Sequence, residues 1–168
     1  MSTEAHAEGL LPVQWEALRY LRRANRFSTT AAALTAYLGL TKGTVSQTLK
    51  ALEARGLVKK RVNTRDRRSN HLSLTAKSRS LLSRDPLTAT VAALDDLSRP
   101  TQSALDVGLE ALLAARLASQ DRQPFGQCRD CRYFARRHVD GSPHFCQLLK
   151  EPLAESEADA ICFEQRPG

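Results

Sequence analysis

The side chains with the richest coordination chemistry in this chain are four cysteines, all of which lie in its last 41 residues. Cys128 and Cys131 form a close pair, and Cys146 and Cys162 follow singly, in the pattern C-x2-C-x14-C-x15-C. Four thiolates are the number that a tetrahedral zinc ion or a cubane iron–sulfur cluster requires. The pattern therefore predicts a metal site made of all four cysteines.

The spacing also bears on which metal is bound. Zinc favours two close pairs of ligands, and a second pair is missing here. Aromatic residues stand near the cysteines, where they would shield a cluster from water: Tyr133, Phe134, Phe145 and Phe163. The pattern is similar to that of small subunits resembling high-potential iron–sulfur proteins. It favours an iron–sulfur cluster as the cofactor, with Zn2+ as the alternative.

Residues 128–168 form a segment with few apolar side chains, preceded by a predicted linker over 120–127. About forty residues of this composition can hardly bury enough apolar surface to fold alone. We therefore expect metal binding to stabilise the fold of this module. The module also contains His138 and His144. We expect both at the surface of a turn, because four sulfurs already complete a metal site.

Positive charge is concentrated in one part of the chain. Residues 12–80 carry fifteen Lys and Arg against three acids, whereas the rest of the chain is slightly acidic and the net charge is +7. Such a block is typical of a surface that binds phosphates. The alternative is a basic surface that is exposed to solvent and has no binding role. No run of eighteen apolar residues and no secretory pattern occurs, so we expect a cytoplasmic protein without a membrane span.

The basic block begins with three predicted helices. Apolar spacing behind Pro12 indicates a helix over 12–25, and Ser28 is suited to cap a second helix that ends at Gly39. Thr41 is suited to cap a third helix that runs to Arg55. Along this third helix a buried stripe is expected, made of Val45, Leu49 and Leu52.

A basic hairpin follows the helices. Residues 57–62 and 71–74 have the pattern of short strands, and the polar turn between them carries three arginines. Helix, turn, helix and hairpin together describe a winged helix-turn-helix, which we place over residues 11–80. The predicted fold class is mainly α with a small β-hairpin wing, followed by dimerisation helices and a small four-cysteine module.

Two further amphipathic helices are predicted over 86–98 and 101–118, after a break at Asp85-Pro86. Their wide apolar faces favour a two-fold dimer interface, and we assign the dimerisation region to residues 81–119. Packing of the same faces within the chain is the alternative.

Several side chains of the predicted third helix and hairpin are suited to contact double-stranded DNA. Base edges in the major groove would be met by Lys42, Thr44, Ser46 and Gln47. Phosphates would be neutralised by Lys50, Lys59, Lys60 and Arg61. The minor groove would be reached by arginines of the hairpin turn, Arg65, Arg67 and Arg68.

Over about 110 residues the chain resembles a family of bacterial transcription factors, the multiple antibiotic resistance regulator (MarR) family. The resemblance is carried by the runs PVQWEALRYL (12–21), TKGTVSQTLKALE (41–53), DRR (66–68) and LSLT (72–75). It implies a homodimer on a pseudo-palindromic operator, with 41–54 as recognition helix and 57–74 as wing. Arg67 is then the minor-groove contact at the wing tip, with Asp66 and Arg68 holding the wing.

One departure concerns the dimer. Family members usually begin with a long intertwining helix, and only eleven residues precede Pro12 here. We therefore expect dimerisation to fall mainly on residues 86–118, with whatever the C-terminal segment adds.

A regulator of transcription is the function that these features favour. In this interpretation, gain or loss of the metal centre changes the fit of the two recognition helices to the operator. The alternative is a winged-helix module for protein interaction that carries a redox or metal centre. We do not expect an enzyme, since no nucleophile, base and orienting group occur together in a recognisable motif.

Overall fold

The computed structural model describes residues 8–62, 70–122, 125–136 and 141–167. By its contacts the chain divides into two compact units. One unit is residues 83–124, and the other contains the described residues on both sides of that segment.

The larger unit begins with three helices and a hairpin. They are α1 (Pro12–Arg23), α2 (Ala31–Leu38), α3 (Lys42–Ala54), β1 (Val58–Val62) and β2 (Asn70–Leu74), followed by the short helix α4 (Ala76–Leu82). The strands pair antiparallel, with Val58 opposite Leu74 and Val62 opposite Asn70. The predicted winged helix-turn-helix fold is confirmed.

The two ends of α2 test two of the predictions made from the sequence. Gly39 ends α2 in the left-handed region with a φ of 65°, which glycine adopts without steric cost. The predicted cap of α2 was wrong, because Thr30 rather than Ser28 occupies that position. The Thr30 hydroxyl accepts a hydrogen bond from the backbone N–H of Ala33 at 3.1 Å. Ser28 is instead buried.

The core of this unit lies between the helices and the base of the hairpin. α1 contributes Trp15 and Leu18, both almost completely buried, and the predicted stripe of α3 is buried as well. One residue from far along the chain, Ile161, belongs to the same cluster. The C-terminal module therefore shares a core with the winged-helix elements.

The cysteine module is built from very short strands. Strand β3 (Gly126–Gln127) pairs with β7 (Ile161–Cys162). A second sheet contains, in the order in which the strands pair, β4 (Phe134–Arg136), β5 (His144–Cys146) and β6 (Glu151–Leu153). In the described part of the module, the buried hydrophobic residues are Cys128, Leu153, Ile161 and Cys162. The module has little apolar core of its own, as its composition predicts.

The smaller unit contains the two amphipathic helices, α5 (Thr88–Asp95) and α6 (Arg99–Ala118). Within these described helices Leu117 is the one buried residue. Large aliphatic side chains are exposed along both helices: Leu87, Val91, Leu94, Leu105, Val107, Leu109, Leu112 and Leu113. None of the helices in the described ranges has the length and hydropathy needed to span a bilayer.

Candidate nucleic-acid interface and cysteine cavity

Helix α3 presents one polar face to solvent and one apolar face to the core. Its buried positions are Val45, Thr48, Leu49 and Leu52. The side chains predicted to meet DNA on this helix are all exposed: Lys42, Thr44, Ser46, Gln47 and Lys50. These residues therefore follow the exposed arc of a helix whose opposite face is fixed by packing.

The first turn of α3 is fixed by Thr41. Its hydroxyl oxygen accepts a hydrogen bond from the backbone N–H of Thr44 at 3.1 Å, and the two threonine hydroxyls are 2.9 Å apart. This cap holds the helix start from which Lys42 and Thr44 project. The exposed α3 face is thus positioned by a cap at its N-terminus and by the core behind it.

Replacing Thr41 with alanine should destabilise the winged-helix unit by about 1 kcal/mol, because a donor in the first turn of α3 loses its acceptor. Urea unfolding followed by circular dichroism would measure this loss. A serine at position 41 keeps the hydroxyl and is the matched control. Equal stability of the alanine and serine variants would contradict the capping role.

Part of the basic block is already paired within the protein. Lys60 Nζ lies 2.7 Å from the Glu53 carboxylate, which joins β1 to α3. Arg26 contacts the Glu157 carboxylate and the carbonyl of Pro152 in the cysteine module. These two cations are already paired with carboxylates, so the local excess of charge overstates what a phosphate would meet.

The hairpin supplies the other predicted DNA contacts. Lys59 and Arg61 are exposed on β1. The three turn arginines, Arg65, Arg67 and Arg68, lie outside the described residues. Their contact with the minor groove stays a prediction.

The four cysteines come from different elements and line one small cavity. Cys128 starts a 3₁₀ turn, Cys131 directly follows that turn, Cys146 ends β5, and Cys162 ends β7. The cavity has a volume of about 20 Å³, and its other walls are Tyr133, Phe134, Leu148, Leu153 and Glu164. All four cysteines are free of disulfide bonds. Residues that are up to 34 positions apart in the sequence thus meet around one space.

Two of the thiols are hydrogen-bonded to each other. The bond from the Cys128 thiol, with further bonds from Asn25 and Ser28, lowers the pKa of Cys162 to about 6. The same bond to Cys162, together with burial, raises the pKa of Cys128. Of these two thiols, Cys162 is therefore the one favoured as a thiolate, which is the form that binds metals.

The donor set of the cavity suits a metal that prefers sulfur. As the side chains stand, no three His, Cys, Asp or Glu residues in the described ranges are arranged to hold a metal ion. Ligation requires the thiols to lose their protons and to close around one centre. The cavity has room for one water-sized group, which matches a single ion more closely than a cubane cluster.

The cysteine cavity is joined to the winged-helix elements by the loop between α1 and α2. Asn25 Nδ2 donates to Cys128 Sγ at 3.3 Å, and the Asn25 backbone N–H donates to the carbonyl of Ile161 at 2.9 Å. Ser28 Oγ accepts a hydrogen bond from the backbone N–H of Phe163 at 2.8 Å. Sequence reasoning missed Asn25 altogether, because its partners are distant in the sequence.

His144 corrects another expectation. It is buried on β5 rather than exposed in a turn, and its ring lies 4.7 Å from that of Phe134. Nε2 is 3.2 Å from a Glu155 carboxylate oxygen, yet neither ring nitrogen makes a hydrogen bond. The alternation of a β-strand, which turns His144 and Cys146 to the same side, is the signal that would have predicted this burial. His138 lies outside the described residues.

Comparisons with known proteins agree with this geometry. Residues 8–69 match the family model described as the MarR family. A search of curated proteins found no match. Among solved structures, a MarR transcriptional regulator from Methanosarcina mazei Go1 is 22% identical, with a TM-score of 0.57 over 68% of this chain and 84% of that one.

Two similar structures were solved with DNA. The S. aureus MepR–DNA complex is 22% identical, covering 66% of this chain and 83% of that one, with a TM-score of 0.53. Streptococcus pneumoniae FabT in complex with DNA is 23% identical, covering 66% and 82%, also with a TM-score of 0.53. These likenesses show the winged helix-turn-helix fold, and the MarR family model matches residues 8–69.

Proposed function

We propose that the chain, whose residues 8–69 match the MarR family model, is a transcriptional regulator of that family that binds a pseudo-palindromic operator as a homodimer. The observation that carries the proposal is the polar face of α3, exposed while its opposite face is locked in the core. A helix held in this way can enter the major groove with its side chains already positioned. Binding of DNA by MepR and FabT supports the same conclusion.

The recognition helix can be tested on an operator selected from a random duplex library. Gln47→Ala should weaken binding to that operator roughly 5- to 150-fold, because a base-edge contact contributes about 1–3 kcal/mol of discrimination. Binding to unrelated duplex DNA should change little. Fluorescence anisotropy over a range of salt concentrations would measure both affinities.

Lys50→Ala tests the phosphate contacts in the same assay. It should weaken binding to all duplexes alike and reduce the slope of log K against log salt by about 1. Arg99→Ala removes the same charge from the start of α6 and should leave the slope unchanged. The proposed function would be overturned if the wild-type chain did not bind duplex DNA at low salt concentration.

The homodimer is proposed on the basis of α5 and α6. Their exposed aliphatic side chains form faces that the described chain does not bury. Contiguous apolar surface of this kind marks an interaction site, and a second copy presents the same surface in a two-fold arrangement. The dimer would set the spacing of two recognition helices to about one turn of DNA.

The four-cysteine module is proposed to hold a metal centre that modulates DNA binding. Cys128, Cys131, Cys146 and Cys162 would be the ligands of an iron–sulfur cluster or of Zn2+. Their common cavity supports a shared site, and its small volume favours a single ion. Such a centre would supply folding free energy to a module that has little apolar core.

A further inference from the structure

The loop between α1 and α2 is hydrogen-bonded to three parts of the larger unit. Through Asn25 and Ser28 it contacts the backbone and sulfur of the cysteine module. Through Thr30 it caps α2. Through Thr29 it contacts the wing, because the carbonyl of Thr29 accepts from Leu72 N–H of β2 at 2.7 Å.

Both polar atoms of the Asn25 side chain make hydrogen bonds within the protein. The residue is 2% exposed, and its Oδ1 accepts hydrogen bonds from the backbone N–H groups of Phe27 and Ser28 at 3.1 and 2.9 Å. Its amide nitrogen donates to Cys128 Sγ. One side chain thus shapes the loop with its oxygen and contacts a cysteine sulfur with its nitrogen.

We infer that Asn25 is the positioning residue that couples a thiolate-bound metal in the cysteine cavity to the helix-turn-helix. The inference rests on the metal centre proposed above and adds the route by which its occupancy is sensed. The amide donates to Cys128 Sγ, so it stabilises that sulfur as an anionic ligand and fixes where the sulfur lies.

The coupling follows from the cost of leaving a buried amide unsatisfied. When the centre is lost, the metal no longer fixes Cys128 Sγ, and the acceptor of the Asn25 N–H is held less firmly in place. The side chain is too deeply buried for solvent to replace that acceptor. The loop then becomes less well held, and with it the start of α2 and the contact to β2.

Ser28 provides a second connection on the same loop. Its buried hydroxyl accepts from the backbone N–H of Phe163, the residue after Cys162, and its carbonyl accepts from the Tyr20 hydroxyl at 2.8 Å. Two of the four cysteines are therefore tied to this loop, Cys128 by its sulfur and Cys162 both by its sulfur and through the next peptide. The loop is the element whose position depends on whether the cavity holds a metal.

The discriminating variant is Asn25→Asp. A carboxylate keeps the oxygen that accepts from Phe27 and Ser28, but it cannot donate to sulfur and repels a thiolate. Gln120→Glu, which makes the same change from amide to carboxylate at an exposed position outside the loop, is the matched control. Both variants are made in the full chain, loaded either with Zn2+ or by anaerobic reconstitution with iron and sulfide.

Two quantities are measured for each protein. The first is metal retention, from competition with a chelator for Zn2+ or from the decay of visible absorbance for a cluster. The second is the ratio of operator affinities with and without metal. Metal retention is measured without DNA, so it tests the contact between Asn25 and the metal site even if the chain fails to bind operator and the proposed function is overturned.

For the wild type and Gln120→Glu we expect metal to change operator affinity about 5- to 150-fold. For Asn25→Asp we expect metal affinity to fall about 10- to 100-fold and the operator ratio to approach one. The inference would be overturned if Asn25→Asp retained metal as well as the wild type does and showed the same ratio of operator affinities with and without metal. The inference would also be overturned if the wild-type chain bound no metal, or if metal did not change its affinity for the operator.

Discussion

Serine at both Cys128 and Cys162 will abolish metal binding and unfold the C-terminal module, while helices α1 to α3 keep their structure. The module buries few hydrophobic residues in its described part, and two of them are these cysteines. Without a metal, its strands of two or three residues have little to hold them. A metal bound at the proposed thiolate site would contribute on the order of 10 kcal/mol of apparent binding free energy, which would act as folding free energy for the module.

Elemental analysis and limited proteolysis of the full chain would measure the two effects. Cleavage should appear between residues 125 and 167 and should spare the winged-helix elements. Wild-type protein stripped with a chelator should give the same fragments. Gln147→Ser, which places a serine beside Cys146 on an exposed position, should behave as wild type.

The same measurement identifies the metal. Iron and sulfide with visible colour indicate a cluster, whereas one zinc in a colourless protein indicates a single ion. A double serine variant that still binds metal would show that the cavity is not the site. A chelated wild type that resists protease would show that the module folds without one.

Much of the winged-helix fold could be predicted from the sequence, because the signals that define it are local. Thr41, Gly39 and the stripe of α3 all act within a few residues of their position. The exposure of Gln47 follows from the same periodicity. The predicted base-reading side chains were therefore found on the solvent face without knowledge of any tertiary contact.

The contact between the loop that joins α1 to α2 and the cysteine module could not be predicted. Asn25 donates to a sulfur 103 residues away, and nothing in its neighbours indicates this. Ser28 has the residue type of a helix cap, and its use by Phe163 depends on where the C-terminal module packs. A local pattern can rank such residues as caps, but only the fold shows which partner they have.

The sequence also could not show which cations of the basic block are available to bind phosphate. The basic block predicts a phosphate-binding surface, yet it cannot show which cations are already paired. Lys60 with Glu53 and Arg26 with Glu157 are such pairs, and one of them crosses into the cysteine module. Side-chain pairing of this kind depends on distance in space, which composition does not record.

Glutamate at Leu112 should convert the proposed dimer to a monomer and lower operator affinity at least about 100-fold. Leu112 is 68% exposed and lies on the same stripe of α6 as Leu105 and Leu109. In a two-fold interface each substitution appears twice, so two carboxylates would be buried without partners. A monomer then binds one half-site and loses the gain from linked binding, which is about 100- to 10,000-fold.

Val107→Glu is the matched control, because Val107 is similarly exposed on α6 but points away from that stripe. It adds the same charge to the same helix and should leave both the dimer and operator affinity intact. Light scattering during size exclusion, at a fixed concentration, would give the oligomeric state, and anisotropy would give the affinity. Dissociation by Val107→Glu but not by Leu112→Glu would place the interface on the other face of α6, and a monomeric wild type would refute the dimer itself. Because the control separates charge from position, the stripe of α6 can be tested independently of the DNA contacts made by α3.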